Sequence, residues 1–290
     1  MCNNNEREAD ATPRPKDYRE LRILERKPSG EVIMKALSTD ENTEYLASLP
    51  PYLALLHEGE LVRGDSYVRM DLKPDWLDMS LLRRGQKFAL RNLTSLQFAD
   101  MLALIILFTF PGLRALIFTG KSDNIFKAYR RYLSTNERVM SWYEDDLWRP
   151  ESKAHKNLKM VRAMHDSVRQ RMNSGDKAKV EYKSTLAGQG VTRLRTGLYS
   201  EVIEEAKAAA CPLFKPYRNI EDNQENINQM NMAITQFGFV GLPILYPKHF
   251  GIHGEREKDF EGFIHLWRAI GFLLGRFRRI YIFVKFPIAC

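Results

Sequence analysis

The clearest periodicity in the chain lies between Asp259 and Gly275. There Phe260, Phe263, Ile264, Trp267, Ile270, Gly271 and Leu274 fall at i, i+3, i+4, i+7, i+10, i+11 and i+14. That is one apolar stripe at the α-helical period, and it predicts a helix with one face in a core. The same period recurs upstream. From about Pro74 the chain reads as a succession of helices: Asp75–Arg84, ended or kinked by Gly85; Leu96–Phe110; Ile125–Met140; Lys156–Met172; Ser200–Ala210, stopped by Pro212; and Asn226–Gly238. Leu96–Phe110 is apolar nearly all round, which predicts a helix central to the domain. Residues 18–75 alternate short apolar patches with turn signals such as Pro28-Ser29-Gly30 and Pro50-Pro51. Two short strands or several helical turns fit that stretch equally well. Residues 1–17, rich in Asn and charge, read as disordered. The expected fold class is therefore all-α, a multi-helix bundle.

Bulk properties exclude some functions. With 290 residues, 44% hydrophobic and 28% charged, the chain can bury a sizeable core and is not disordered as a whole. Its net charge of +8 invites a nucleic-acid reading. Arg276, Arg278, Arg279 and Lys285 place half of that surplus in the last fifteen residues, however, and no nucleic-acid module accompanies the rest. Cys2, Cys211 and Cys290 form no CxxC pair, which points to a reducing compartment and away from a cysteine zinc site. The polar N-terminus predicts no signal peptide. The longest apolar run, Met101–Leu113, is shorter than the ~20 residues that a helical span needs. The location expected is intracellular, cytoplasmic or on the cytosolic face of a membrane, with peripheral membrane association left open.

The segment Lys156–Met172 carries the most chemistry. Leu158, Val161, His165, Val168 and Met172 are spaced 3, 4, 3 and 4, so His165 sits on the inward line of a helix between aliphatic residues. An imidazole there is costly unless its nitrogens find partners. It either bonds a backbone carbonyl and fills space, or it binds a metal; spacing alone leaves both open. Arg162, Arg169 and Arg171 fall off the line and predict a basic outer surface. The other histidines offer less. His249 and His253 bracket Gly251 and read as a loop pair, His265 reads as a surface partner of Glu261, and His57 and His155 have no context. The chain has no Gly-rich phosphate loop, nucleophile elbow or HExxH.

A series of short motifs in fixed order adds to this. Trp76-Leu77-Asp78 with Arg84-Gly85-Gln86, Thr119-Gly120-Lys121, Arg131 with Thr135, and Val161-Arg162 with His165 and Arg169 come first. Ile227-Asn228-Gln229 with Met232 and Thr235, then Leu266-Trp267-Arg268 with Gly271 and Gly275, complete the set. Together they resemble the mpaB/rubber-oxygenase catalytic domain family over about residues 70–275, within a domain of 18–275. The resemblance implies a globin-like core around haem b, with His165 as the iron ligand. It further implies Arg131 and Thr135 as catalytic polar residues of the distal pocket, and charge matching suggests Arg162 and Arg169 as the partners of the haem propionates. The implied reaction is oxygenation by O₂ of an apolar substrate, an unsaturated isoprenoid or lipid-like molecule. The alternative is a helical haem- or lipid-binding protein without catalysis. Three departures stand out: Ser134 occupies the family's lysine position, Met101–Ser122 contains no acid, and residues 276–290 read as a divergent, truncated tail.

Overall fold

The computed structural model describes residues 23–26, 32–35, 56, 59–65, 69–107, 114–184, 200–201, 204–205 and 226–276. The expected disorder of residues 1–17, most of the helix expected over Ser200–Ala210, His57, and the tail beyond Arg276 lie outside these. The described chain is an all-α bundle accompanied by one antiparallel hairpin. Strand β1 (Ile23–Arg26) pairs with β2 (Val32–Lys35), Ile23 opposite Lys35, and a 3₁₀ turn follows at Gly59–Leu61, so the described part of that stretch holds both strands and a helical turn.

The bundle contains α1 (Met79–Arg91), α2 (Leu93–Leu107), the single turn α3 (Ala115–Phe118) and α4 (Ile125–Glu144). It continues with α5 (Lys153–Asn173), α6 (Lys177–Ser184), α7 (Gln229–Leu245) and α8 (Glu257–Leu273). Local chemistry sets several starts. The side chains of Asp78, Asn124, Ser152 and Asn228 accept backbone N–H groups at the beginnings of α1, α4, α5 and α7.

The tightest contact is α1 against α8. Gly85 does not end or kink α1, which runs through it to Arg91. Its role is to let the helices touch: a Cβ at Gly85 would lie 2.1 Å from the carbonyl oxygen of Gly262, and one at Gly262 would lie 2.8 Å from the Gly85 nitrogen. The residues around this crossing are clips. Arg84 pairs with Asp259 at 3.1 Å, and the Gln86 amide donates to the carbonyls of Trp142 (3.0 Å) and Asp145 (2.8 Å) at the end of α4. Phe88 packs between Phe260 and Phe263 with ring centroids 5.2 and 5.0 Å away. Trp267 is buried against Trp142, Tyr143 and Phe239. The stripe read from sequence in α8 is thus the centre of the core, with Leu266, Ala269 and Leu273 buried beside it.

His265 corrects an expectation. It is buried rather than paired at the surface: its Nε2 accepts the Asp78 backbone N–H at 3.1 Å, and its ring meets Trp76 edge-on. The sequence around it allows an i, i+4 surface pair, but α1 covers that side of α8. Gln229, at the start of α7, closes the other end. Its buried amide reaches the carbonyls of Arg63, Gly64 and Gly275 at 2.9, 3.0 and 2.9 Å, tying three distant segments together. Arg276 is buried too and donates to the Gln236 side chain, so the packed body extends one residue into the expected tail.

Helix α2 departs from the all-round burial expected of it. Leu96, Ala99, Asp100, Ala103 and Leu107 are buried, with α7 packed on the helix and Gly238 close to Leu107. Phe98, Met101, Leu102 and Ile105 on its other side are exposed. Uniform apolarity hid a two-faced helix, because periodicity carries no signal when nearly every residue is apolar.

Candidate functional site

Helices α4 and α5 pack along each other and bring together most of the residues singled out from the sequence. On α5, Leu158 and Met172 at the ends of the seam are buried, and Val161, His165 and Val168 between them are half-buried. The Nδ1 of His165 is shielded from solvent and has no hydrogen-bond partner. Neither satisfaction by a backbone carbonyl nor solvation therefore accounts for that nitrogen. Burial pulls the pKa of His165 down from 6.5 to about 4, the positive charge of Arg131 lowers it further, and Asp65 opposes the shift. At neutral pH the ring is uncharged.

Arg131 reaches this seam from α4. Its guanidinium donates to the Leu116 carbonyl at 3.0 Å and to the Ser122 hydroxyl at 3.2 Å, tethering the turn that carries Thr119 and Gly120. Desolvation lowers its pKa to about 10, so it remains a cation at neutral pH. The Thr119 hydroxyl donates to the same Leu116 carbonyl at 3.0 Å, and Gly120 takes a φ of +67°, a left-handed conformation that suits glycine. Two motifs separated in sequence thus meet at one carbonyl. Thr135 lies one helical turn beyond Arg131 on α4 and is half-buried.

Arg162 and Arg169 do not form the basic outer surface expected of them. Arg162 grips Asp65 with two hydrogen bonds of 2.8 and 2.6 Å, its side chain 13% exposed and that of Asp65 14%. Arg169 is buried and bonds Asp166 on its own helix at 2.8 and 3.1 Å. Both arginines lie within a turn of His165, and carboxylates draw them inward. Arg171 is exposed and lies 5.7 Å over the Phe118 ring. His249 and His253 sit in and just after the 3₁₀ turn Pro247–Phe250, and Gly251 at φ +74° breaks any helix between them. His155 is accounted for by the Leu147 carbonyl, 3.0 Å from its Nδ1.

The sequence reading passed over one group. Asp100 is buried inside α2, its Oδ1 has no hydrogen-bond partner, and desolvation raises its pKa well above the ordinary carboxylate value. Its field reaches Tyr143, whose hydroxyl is also buried and raised in pKa, and Tyr132, whose hydroxyl donates to the Gln97 carbonyl at 2.6 Å. A single acid in a fifteen-residue helix with no other charge was the available signal. Asp65 carried no such signal, because its partner Arg162 is 97 positions away in sequence.

The donor set can be tested against a haem. An axial ligand must be neutral and must have a ring nitrogen not committed to a hydrogen bond, and the half-buried His165 ring, with its shielded Nδ1, meets both conditions. Arg162 and Arg169 each carry five N–H donors, so a propionate can be held by sharing them with Asp65 and Asp166. No group of three or more His, Cys, Asp or Glu that could hold a bare metal ion occurs among the described residues. Comparison with protein-family models, curated proteins and solved structures found no match to this chain.

Proposed function

We propose that the chain is a haem b-dependent oxygenase acting with O₂ on an unsaturated isoprenoid or lipid-like substrate, with His165 as the ligand to iron. One observation carries the reading: a neutral imidazole on an apolar helical seam, with a shielded ring nitrogen that has no partner among the described residues. The ordered resemblance to the mpaB/rubber-oxygenase domain supports it, since Arg131, Thr135, Arg162, His165 and Arg169 come from motifs of that series and lie along the α4–α5 contact.

When bound, haem would supply activation of O₂, a chemistry that no side chain provides. The chain's own part is narrower. His165 stays unprotonated because its surroundings exclude water, so a proton does not compete for its lone pair at neutral pH. Asp65 fixes Arg162 on the turn preceding His165, and Asp166 fixes Arg169 on the turn after it. Arg131, held by Leu116 and Ser122, keeps a positive charge near the ring and would favour a developing negative charge nearby.

The test is an absorption spectrum of the purified chain titrated with haem, followed by oxygen uptake with an unsaturated isoprenoid. The expected result is a Soret band that disappears in His165→Ala and persists in His249→Ala and His253→Ala, together with substrate-dependent oxygen consumption. Full haem binding by the His165→Ala variant defeats the site. Haem binding without oxygen uptake replaces the oxygenase with the non-catalytic haem-binding reading.

A further inference from the structure

Two apolar surfaces of the molecule face outward and border each other. On α2, Phe98, Met101, Leu102 and Ile105 fall at i, i+3, i+4 and i+7, with Phe98 54% and Ile105 60% exposed. On α4, Ile125, Phe126, Tyr129 and Leu133 line the first turns, with Phe126 84% exposed. The Tyr132 hydroxyl donates to the Gln97 carbonyl at 2.6 Å, which joins the two helices at a point next to Phe98 and Leu133 in sequence. Large apolar side chains in such numbers are an interaction surface rather than scattered exceptions.

The charges around the face select its occupant. Helix α2 has no basic residue, and its one acid, Asp100, points inward. Lys121, Lys127 and Arg130 are exposed beside the α4 row. Lys248 is exposed on the Pro247–Phe250 turn, whose Phe250 ring lies 6.0 Å from Phe98. The acid nearest the α4 row, Asp123, is held by Lys127 at 2.7 Å. An apolar, aromatic centre with a cationic rim matches the boundary of a bilayer, where acyl chains meet anionic headgroups. No single helix among the described residues is long and apolar enough to cross a membrane, and α1 and α2, which together have the length and composition, are bent by 85° at their junction.

We infer that the outer face of α2 and the first turns of α4 dock the protein on an anionic lipid surface. The inference does not depend on haem. It is tested by sedimenting the full chain with vesicles of phosphatidylcholine alone and of phosphatidylcholine mixed with phosphatidylserine. Binding to the mixed vesicles is expected to be at least about tenfold tighter. Lys127→Gln with Arg130→Gln should lower that binding about tenfold or more, and Ile105→Ser with Phe126→Ser should abolish it. Variants that bind like the parent overturn the inference. It is also overturned if the Ile105→Ser, Phe126→Ser chain melts as early as Phe263→Ala, which would mean that the chain itself covers the face. Light scattering that shows a dimer dispersed by the same two substitutions would assign the face to a second copy instead.

Discussion

The contact between α1 and α8 and the contact between α4 and α5 differ in the kind of group they leave unpartnered. At the first, two glycines let backbones meet and Arg84 with Asp259, Gln86 with two carbonyls and His265 with the Asp78 N–H clip the crossing, while the buried indole N–H groups of Trp142 and Trp267 have no hydrogen-bond partner among the described residues. At the second, the Nδ1 of His165 has no partner among the described residues, while Arg131, Arg162 and Arg169 are each held by a neighbouring oxygen. Asp100 repeats the pattern beneath α2. Buried polar groups are normally satisfied, and exceptions call for an account beyond packing. What sets the second contact apart is that the unpartnered group is a titratable ring nitrogen rather than an indole N–H.

The largest test of this contrast falls on the first contact. Gly85→Ala drives a Cβ to within 2.1 Å of the Gly262 oxygen, and neither backbone can yield without parting α1 from α8. A loss of about 3 kcal/mol or more is expected, read from urea unfolding. A loss below about 1 kcal/mol would mean that the crossing is loose.

A comparable effect, confined to acid, belongs to His165 in the haem-free chain. Its pKa is about 4 in the fold, against an ordinary value of 6.5, so the unfolded chain binds the proton first. Its contribution to stability is therefore whole above pH 6.5 and declines as the pH falls toward 4. The full decline is about 3 kcal/mol at most. Comparing unfolding of the parent and His165→Gln between pH 7 and 4 isolates it, and parallel pH profiles would refute it.

The smallest effect has the opposite sign. Asp100 holds its proton in the fold at pH values where the unfolded chain releases it, so its burial costs stability above the ordinary carboxylate range. Asp100→Asn keeps the shape and removes that cost. At pH 7 the melting temperature should rise by about 3 °C, the shift that about 1 kcal/mol produces in a chain of this size. A fall would mean that the carboxylate is ionised and partnered.

Helix periods and caps made much of the bundle legible in sequence. The spacing of Leu158, Val161, His165, Val168 and Met172 and the stripe from Phe260 to Leu274 describe faces that do turn toward the core. What escaped depends on contacts distant in sequence. Gly85 read as a helix end because its use is visible only beside Gly262, 177 positions on, and His265 read as exposed because α1 is needed to bury it. Arg162 and Arg169 read as surface charges because the carboxylates that draw them inward include Asp65, in a turn-rich stretch with no period. The outward face of α2 was hidden by its own composition, since nearly every residue of the helix is apolar.

The central claim is that His165 is neutral in the fold and offers a free ring nitrogen to iron. Histidine-ring ¹⁵N NMR of the haem-free chain, titrated from pH 7 to 4 and then mixed with haem at pH 7, tests it directly. The account predicts that one of the six histidines, the one missing from His165→Gln, stays neutral until the pH approaches 4 and is the one whose ring signal moves when haem is added. A His165 ring that titrates near 6.5, or that is unmoved by haem, contradicts it.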